Sequence, residues 1–182
     1  MSLPPGRNLF KEYPNKYGVE TGTWRADGVA AFLDAGFEHV RTIDIDPEAA
    51  VFCSNRFWLT KNTHLDIKCF TGDSAVMLWE MIKDIQEPIT FWLDSHSQLL
   101  EDEKDFYGEP FPLLFELEQI ARHPVKTHTI LCDDILMLTH PDVTQFERKD
   151  IQDAILAINS AYTFKYIANP VKNNLLVCTV PI

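Results

Sequence analysis

The run FWLDSHS (91–97) sets a carboxylate and an imidazole two residues apart, at Asp94 and His96. In an extended strand that spacing turns both side chains to one side. An imidazole ordinarily titrates near 6.5, which suits a general base for a hydroxyl already polarised by a metal or a hydrogen bond. The alternative role for His96 is to orient Asp94 or a substrate oxygen. Three earlier runs end in polar groups of another kind. YGVETGT (17–23) closes on Glu20, Gly22 and Thr23. Gly22 permits a tight turn and a close approach to the main chain, and an acid two residues before it suits a cationic ammonium. A purely structural turn explains the same residues. HVRTIDID (39–46) closes on Asp44 and Ile45. A carboxylate roughly 20 residues past a glycine turn can accept both hydroxyls of a ribose. Asp46, just before Pro47, reads equally as a helix cap. LDIKCFTG (65–72) leads into Asp73 and Ser74. Asp73 can accept an adenine amino proton; Ser74 can bond a ring nitrogen, although for Ser74 alone a helix cap is the better reading. In chain order the strand ends thus offer a turn, a ribose acceptor and an adenine contact. No G-x-G-x-x-G fingerprint follows Gly22, where the chain reads GTWRADG, so a diphosphate cradle and NAD are poorly supported.

These strand ends need elements that bring them to one edge. Short apolar runs alternate with helical segments such as GVAAFLDAG, PEAAVFCSNRF, SAVMLWEMIKDI and PFPLLFELEQIARH. A strand every 20 to 25 residues or so is what βα units require, because parallel strands need a crossover. HTILCDDI (128–135) supplies a fifth such run, and a helix is expected at roughly 145–160. TFKYIAN (163–169) and NLLVCTVP (174–181) are joined by a PVKN turn too short for a crossover, so they form an antiparallel hairpin. The expected fold is a seven-stranded, mostly parallel α/β sheet with helices on both faces, which places its ligand at the carboxyl ends of the strands.

From about Tyr17 to Pro181 the chain resembles class I S-adenosylmethionine-dependent methyltransferases. The family motif E/D-x-G-x-x-x-G appears as Glu20, Gly22 and Ala26, with alanine at the second glycine and Gly28 two residues later. The closing hairpin is a further family trait. The resemblance implies a Rossmann-like fold and S-adenosylmethionine as cofactor, bound by Glu20, Gly22, Thr23, Asp44, Ile45, Asp73, Ser74 and Asp94. It also implies that the fourth and fifth strands are neighbours, so that Asp94 meets the Asp133–Asp134 pair of ILCDDI. Three carboxylates so placed cannot all stay ionised unless a cation neutralises them or their pKa values rise. Oxygen ligands select Mg²⁺, Mn²⁺ or Ca²⁺, and no Cys/His cluster for zinc is visible. This looks like the metal-dependent O-methyltransferases, in which the metal holds two adjacent substrate oxygens and acidifies the attacking one. Asp94, Asp133 and Asp134 are then the expected metal ligands, with His96 and Asp94 catalytic. Otherwise Asp94 binds only cofactor or substrate, and the aspartate pair caps a loop. FWLDSH, PLLFELE and the D-D strand end resemble methyltransferase domains of surface-glycan assembly, which implies a sugar or small polyol acceptor. A phenol or catechol acceptor, a metal-independent enzyme with His96 as base, and a non-catalytic adenosyl-binding module remain alternatives.

The other segments carry less chemistry. Residues 98–111 form a polar stretch in which Phe106, Tyr107 and Phe111 can stack on an acceptor or pin the loop. An N-terminal arm, 1–16, precedes a single domain, 17–182; Phe10, Tyr13 and Tyr17 are candidates for a second wall of the site. Glu116 lies in a helical core segment near the crevice. His39, His64, His123 and His128 fall at element boundaries typical of surface, and His140 precedes a loop proline. The four cysteines are widely spaced within apolar segments, as buried thiols of a reducing, cytoplasmic protein would be. The formal net charge of −11 argues against nucleic acid and membrane surfaces as partners and suits a small-molecule or glycan acceptor. A homodimer and membership of a larger multidomain chain both stay open.

Overall fold

In the computed structural model, residues 9–59, 64–96, 109 and 111–181 are described. The strands are β1 (Tyr17–Thr21), β2 (His39–Asp44), β3 (Asp66–Thr71), β4 (Ile89–Leu93), β5 (Thr129–Cys132), β6 (Thr163–Asn169) and β7 (Val171–Thr179). The helices are α1 (Leu9–Glu12), α2 (Asp27–Asp34), α3 (Pro47–Arg56), α4 (Ser74–Ile82), α5 (Leu113–Ala121), α6 (Ile135–Leu138) and α7 (Arg148–Ile158). The strands form one sheet in the order β3-β2-β1-β4-β5-β7-β6. β1 to β5 run parallel, and β7 runs antiparallel to both β5 and β6. Strand order reverses between β1 and β4, so a crevice opens at their carboxyl ends. No helix among the described residues is long and apolar enough to cross a membrane.

Both faces of the sheet are covered, and alternation along β4 shows how. Phe91 and Leu93 join Leu78 and Met81 of α4, Leu117 of α5 and Ile155 of α7 on one face. Trp92 turns to the other face, among Phe10, Val29, Phe32, Val40 and Cys53. Every residue of β4 is buried, as its unbroken apolar run requires.

Three expectations are corrected by packing. Phe10 does not wall the site: it is fully buried, with its ring stacked 3.9 Å from that of Phe32. Tyr17 stacks on His39 at 4.5 Å, both at the amino ends of their strands and so opposite the crevice. The last strand begins earlier than the PVKN turn implied. Val171 already pairs with Asn169, and an irregularity between Ile167 and Asn169 together with Asn173 at φ +62° absorbs the change of register.

A further correction concerns histidines. His123 and His128 are interior, not surface. Ile89 N–H donates to His128 Nδ1 at 3.1 Å, which leaves His128 Nε2–H to donate to His123 Nδ1 at 3.1 Å. His123 Nε2–H then donates to the Ile85 carbonyl at 3.0 Å. Both nitrogens of His128 are thereby used with the ring neutral, and a proton added at its Nδ1 would face the Ile89 N–H instead of an acceptor. Burial, and after it the neighbouring His123, pushes His128 from 6.5 down to about 3.

α5 carries the opposite case. Glu116 is fully buried. The hydroxyls of Ser74 and Thr21 lie beside it, yet neither meets full hydrogen-bond geometry. Burial raises its carboxyl from 4.5 to about 7. The two groups act on opposite flanks of the pH profile. For His128 the folded value lies below the unfolded one, so its contribution is intact above pH 6.5 and drains away toward 3. For Glu116 the folded value lies above, so its contribution is intact below 4.5 and is lost as pH rises through about 7. Urea unfolding between pH 7 and 5 checks the first: wild type is expected to lose about 2 kcal/mol that His128→Gln keeps. Between pH 4.5 and 8, Glu116→Gln is expected to gain about 3 kcal/mol on wild type in the same assay. Parallel pH profiles for variant and wild type would contradict either assignment.

Candidate active site

The turn after β1 is held in an unusual backbone conformation. Gly22, Trp24 and Ala26 have φ of +85°, +42° and +56°. For Trp24 and Ala26 this costs roughly 1–2 kcal/mol each. The N–H groups of Gly22 and Thr23 both donate to the Ile43 carbonyl, at 2.9 and 3.2 Å. Trp24 N–H donates to Asp44 Oδ2 at 2.8 Å. At Gly22 a Cβ would lie 2.5 Å from the Asp94 carbonyl oxygen, so glycine here lets the β1 turn lie directly against the end of β4. Ala26, at the motif's second glycine, tolerates its left-handed backbone because its methyl is wholly buried among Phe32, Phe37 and Trp92.

The structure distributes the expected cofactor residues unevenly. Glu20 is turned inward rather than toward the crevice. It is 2% exposed, and its Oε2 accepts from Thr42 Oγ1 at 2.7 Å. Burial raises its pKa well above the usual carboxylate value. Gly28 makes room for it, since a Cβ there would stand 1.8 Å from Glu20 Oε1. Thr23 is likewise buried, with its hydroxyl 2.6 Å from that of Thr42. Asp44 is half-buried at the end of β2; Oδ2 takes Trp24 N–H and Oδ1 takes Asp46 N–H at 3.0 Å. Each oxygen keeps acceptor capacity for a ribose hydroxyl. Ile45 is exposed beside it. Asp46 caps α3, its side chain accepting from Glu48 N–H. Asp73, not Ser74, caps α4, because a cap needs extended backbone and Asp73 has it, at φ −76° and ψ 119°. Its Oδ1 accepts from Ala75 N–H and its Oδ2 from Glu109 N–H, both at 2.9 Å. Ser74 is the first residue of α4, buried, with Oγ 3.4 Å from Ser95 Oγ.

The ends of β4 and β5 carry the cluster. Asp94 N–H donates to the Thr21 carbonyl and Asp133 N–H to the Leu93 carbonyl, at 3.2 and 3.0 Å, so the sheet's own bonding extends to both aspartates. Asp134 adopts φ +50° before α6 but makes no side-chain cap there. Its Oδ2 lies 3.1 Å from His96 Nε2, which is 3.7 Å from Asp94 Oδ1. One ligand atom each from Asp94, His96 and Asp134 fall within 4.8 Å of one another, a nitrogen-and-two-oxygen set that can gather around one divalent cation. The expected ligand set is thereby altered: Asp133 stands outside this group. It is fully buried, and its Oδ2 accepts from Asn169 Nδ2 at 2.7 Å. Burial moves Asp133 up to about 6. At Asp134 burial works upward too, but bonds from His96 and Asn174 outweigh it and hold the carboxyl below its usual value. Asn169, Asn174 and Thr42, which hold these acids, are not marked by the sequence beyond the asparagine-rich stretch NPVKNN. Phe111 is partly buried against the core, while Phe106 and Tyr107 lie outside the described residues.

No protein-family model and no curated protein matches the chain. Solved structures do match along nearly its whole length. The chain is similar to an O-methyltransferase from Bacillus cereus in complex with S-adenosylhomocysteine, at 11% identity and TM-score 0.68, covering 96% of this chain and 78% of that one. It is similar to the O-methyltransferase TomG from Streptomyces achromogenes, at 12% identity and TM-score 0.59, with 97% and 78% covered. A ribosomal protein L11 methylase from Lactobacillus delbrueckii matches at 13% identity and TM-score 0.60, with 97% and 77% covered. The chain shares the Rossmann-like fold of these methyltransferases.

Proposed function

We propose that the protein is an S-adenosylmethionine-dependent O-methyltransferase acting on a hydroxyl of a sugar, glycan or other small polyol, with a divalent cation held between Asp94 and Asp134. One observation carries this reading: Asp94, His96 and Asp134 meet at the ends of β4 and β5, next to the β1 turn where strand order reverses. The likeness to O-methyltransferases solved with the adenosyl cofactor supports it. So does the donor set: Asp44 has acceptor capacity to spare at the second strand end, and the crevice is acidic, as a sulfonium cation favours.

S-adenosylmethionine supplies the methyl group, and a divalent cation lowers the pKa of a hydroxyl bound to it. The chain's residues do the rest. Asp44 is the residue that would bind the ribose, and the β1 turn, packed against β4 at Gly22, holds Asp44 through the Trp24 N–H. Asp94 and Asp134 are the carboxylates that would hold the cation beside the acceptor oxygen, which leaves the His96 imidazole for proton transfer rather than ligation. His96 is the residue that would take the acceptor's hydroxyl proton as the methyl passes from sulfur to oxygen. The 3.1 Å contact between His96 and Asp134 favours a second reading, in which that pair acts as a base and its orienting carboxylate without any metal.

Ligand-induced melting shifts and radiolabel transfer separate the readings. S-adenosylhomocysteine at 100 times its Kd is expected to stabilise the protein by about 2.7 kcal/mol, and NAD not at all. Transfer to glycan acceptors is expected to stop with EDTA and return with Mn²⁺, and His96→Ala to lower kcat by about 10²–10⁴-fold. Stabilisation by NAD but not by the adenosyl compound would overturn the proposal. Transfer that survives both EDTA and Asp94→Ala would leave the metal-free reading, and transfer only to phenols would exclude the polyol acceptor.

A further inference from the structure

We propose that two asparagines of the closing hairpin are positioning residues for the acidic cluster: Asn174 of β7 holds Asp134, and Asn169 of β6 holds Asp133. The inference rests on the functional reading above and adds how its carboxylates are kept in place.

Asn174 is 6% exposed, so its amide depends on protein partners. Its Nδ2 donates to Asp134 Oδ1 at 2.7 Å and to the Asn169 carbonyl at 3.0 Å, while Leu136 N–H donates to its Oδ1 at 3.2 Å. Three partners agree on one amide orientation, so the nitrogen faces the carboxylate. Asn169 Nδ2 donates to Asp133 Oδ2 at 2.7 Å, and its carbonyl receives Asn174. The two contacts are therefore linked through the hairpin backbone. Asp134 needs such a hold, since it sits at φ +50° and its carboxylate is not spent on capping α6. With Oδ1 fixed by Asn174, Oδ2 is the oxygen left facing His96. The irregularity between Ile167 and Asn169, with Asn173 at φ +62°, shifts the register just where these two side chains leave the hairpin.

Asn174→Asp tests the positioning role. It matches Asn174 in size and still accepts from Leu136 N–H, but gives up both Nδ2 bonds, to Asp134 Oδ1 and to the Asn169 carbonyl; a role confined to tying the hairpin together would leave the Mn²⁺ and His96 readouts unmoved. It replaces the donor facing Asp134 with a second carboxyl oxygen. Three readouts need no turnover: Mn²⁺ affinity from the free-ion EPR signal, the His96 imidazole NMR signal in metal-free protein, and S-adenosylhomocysteine binding by calorimetry. Asn174→Asp is expected to weaken Mn²⁺ by about 10- to 100-fold, as loss of a ligand's hydrogen-bond partner does, and to move the His96 signal. Binding of S-adenosylhomocysteine is expected to stay unchanged, and kcat to fall while KM for the donor does not. Asn169→Ala is expected to have a smaller effect on Mn²⁺, because Asp133 stands outside the trio. Where Asn174→Asp does not fold, Asn174→Ala is read the same way. Wild-type Mn²⁺ affinity together with an unmoved His96 signal would overturn the proposal. If the wild-type protein binds S-adenosylhomocysteine but no Mn²⁺, the metal half of the functional reading fails and the His96 signal decides on the asparagines. If it binds no S-adenosylhomocysteine, the donor reading fails, and the Mn²⁺ and His96 readouts still decide.

Discussion

Crowding of acids at one edge of a sheet is the constraint on which the molecule turns. Glu20, Asp94, Glu116, Asp133 and Asp134 all lie on, against or just beyond the carboxyl ends of β1, β4 and β5, and three of the five are buried. An isolated carboxylate out of water is costly enough that the group changes protonation rather than remain charged. The structure answers differently at each position. Thr42 bonds Glu20, Asn169 bonds Asp133, and Asn174 with His96 bonds Asp134. Glu116 receives the least help and is moved to about 7.

The glycines follow from the acids. Gly28 is where Glu20 needs space, and Gly22 is where the β1 turn meets the Asp94 carbonyl. Both shape the crevice from behind. A ligand's close approach is not needed to explain either one. Ala26 shows the same logic in reverse: the motif position accepts a side chain because its methyl completes an apolar cluster that repays the left-handed backbone.

The sheet was legible in the sequence because each strand is short, apolar and separated from the next by a crossover length, and because the final connection is too short to be one. The site was legible to the extent that strand ends are fixed by strand order: Asp94 and the Asp133–Asp134 pair do arrive side by side. Side-chain direction was not legible. Consecutive aspartates look equivalent in a row of letters, yet Asp133 continues the sheet's bonding inward while Asp134 leaves it through a left-handed residue. Glu20 was hidden for a related reason, since period-2 alternation puts it on the face covered by α2, where Gly28 has made room. The buried histidine chain was missed because boundary positions are commonly exposed. Only the third dimension shows that the main-chain groups of Ile85 and Ile89 take up the imidazole nitrogens.

The same alternation explains why the crevice can be acidic without flying apart. Among the acids whose pKa is displaced, the three that rise (Glu20, Glu116 and Asp133) are the three that are fully enclosed. Two fall: Asp84, away from the crevice, which Arg41 bonds, and Asp134, which is half-buried and reaches His96. Burial therefore opposes ionisation in the inner layer, while the bonds from His96 and Asn174 favour it at Asp134. Charge retained at the outer edge is where a sulfonium, a divalent cation or an imidazolium gains most from it, because attraction strengthens as the surroundings lose water.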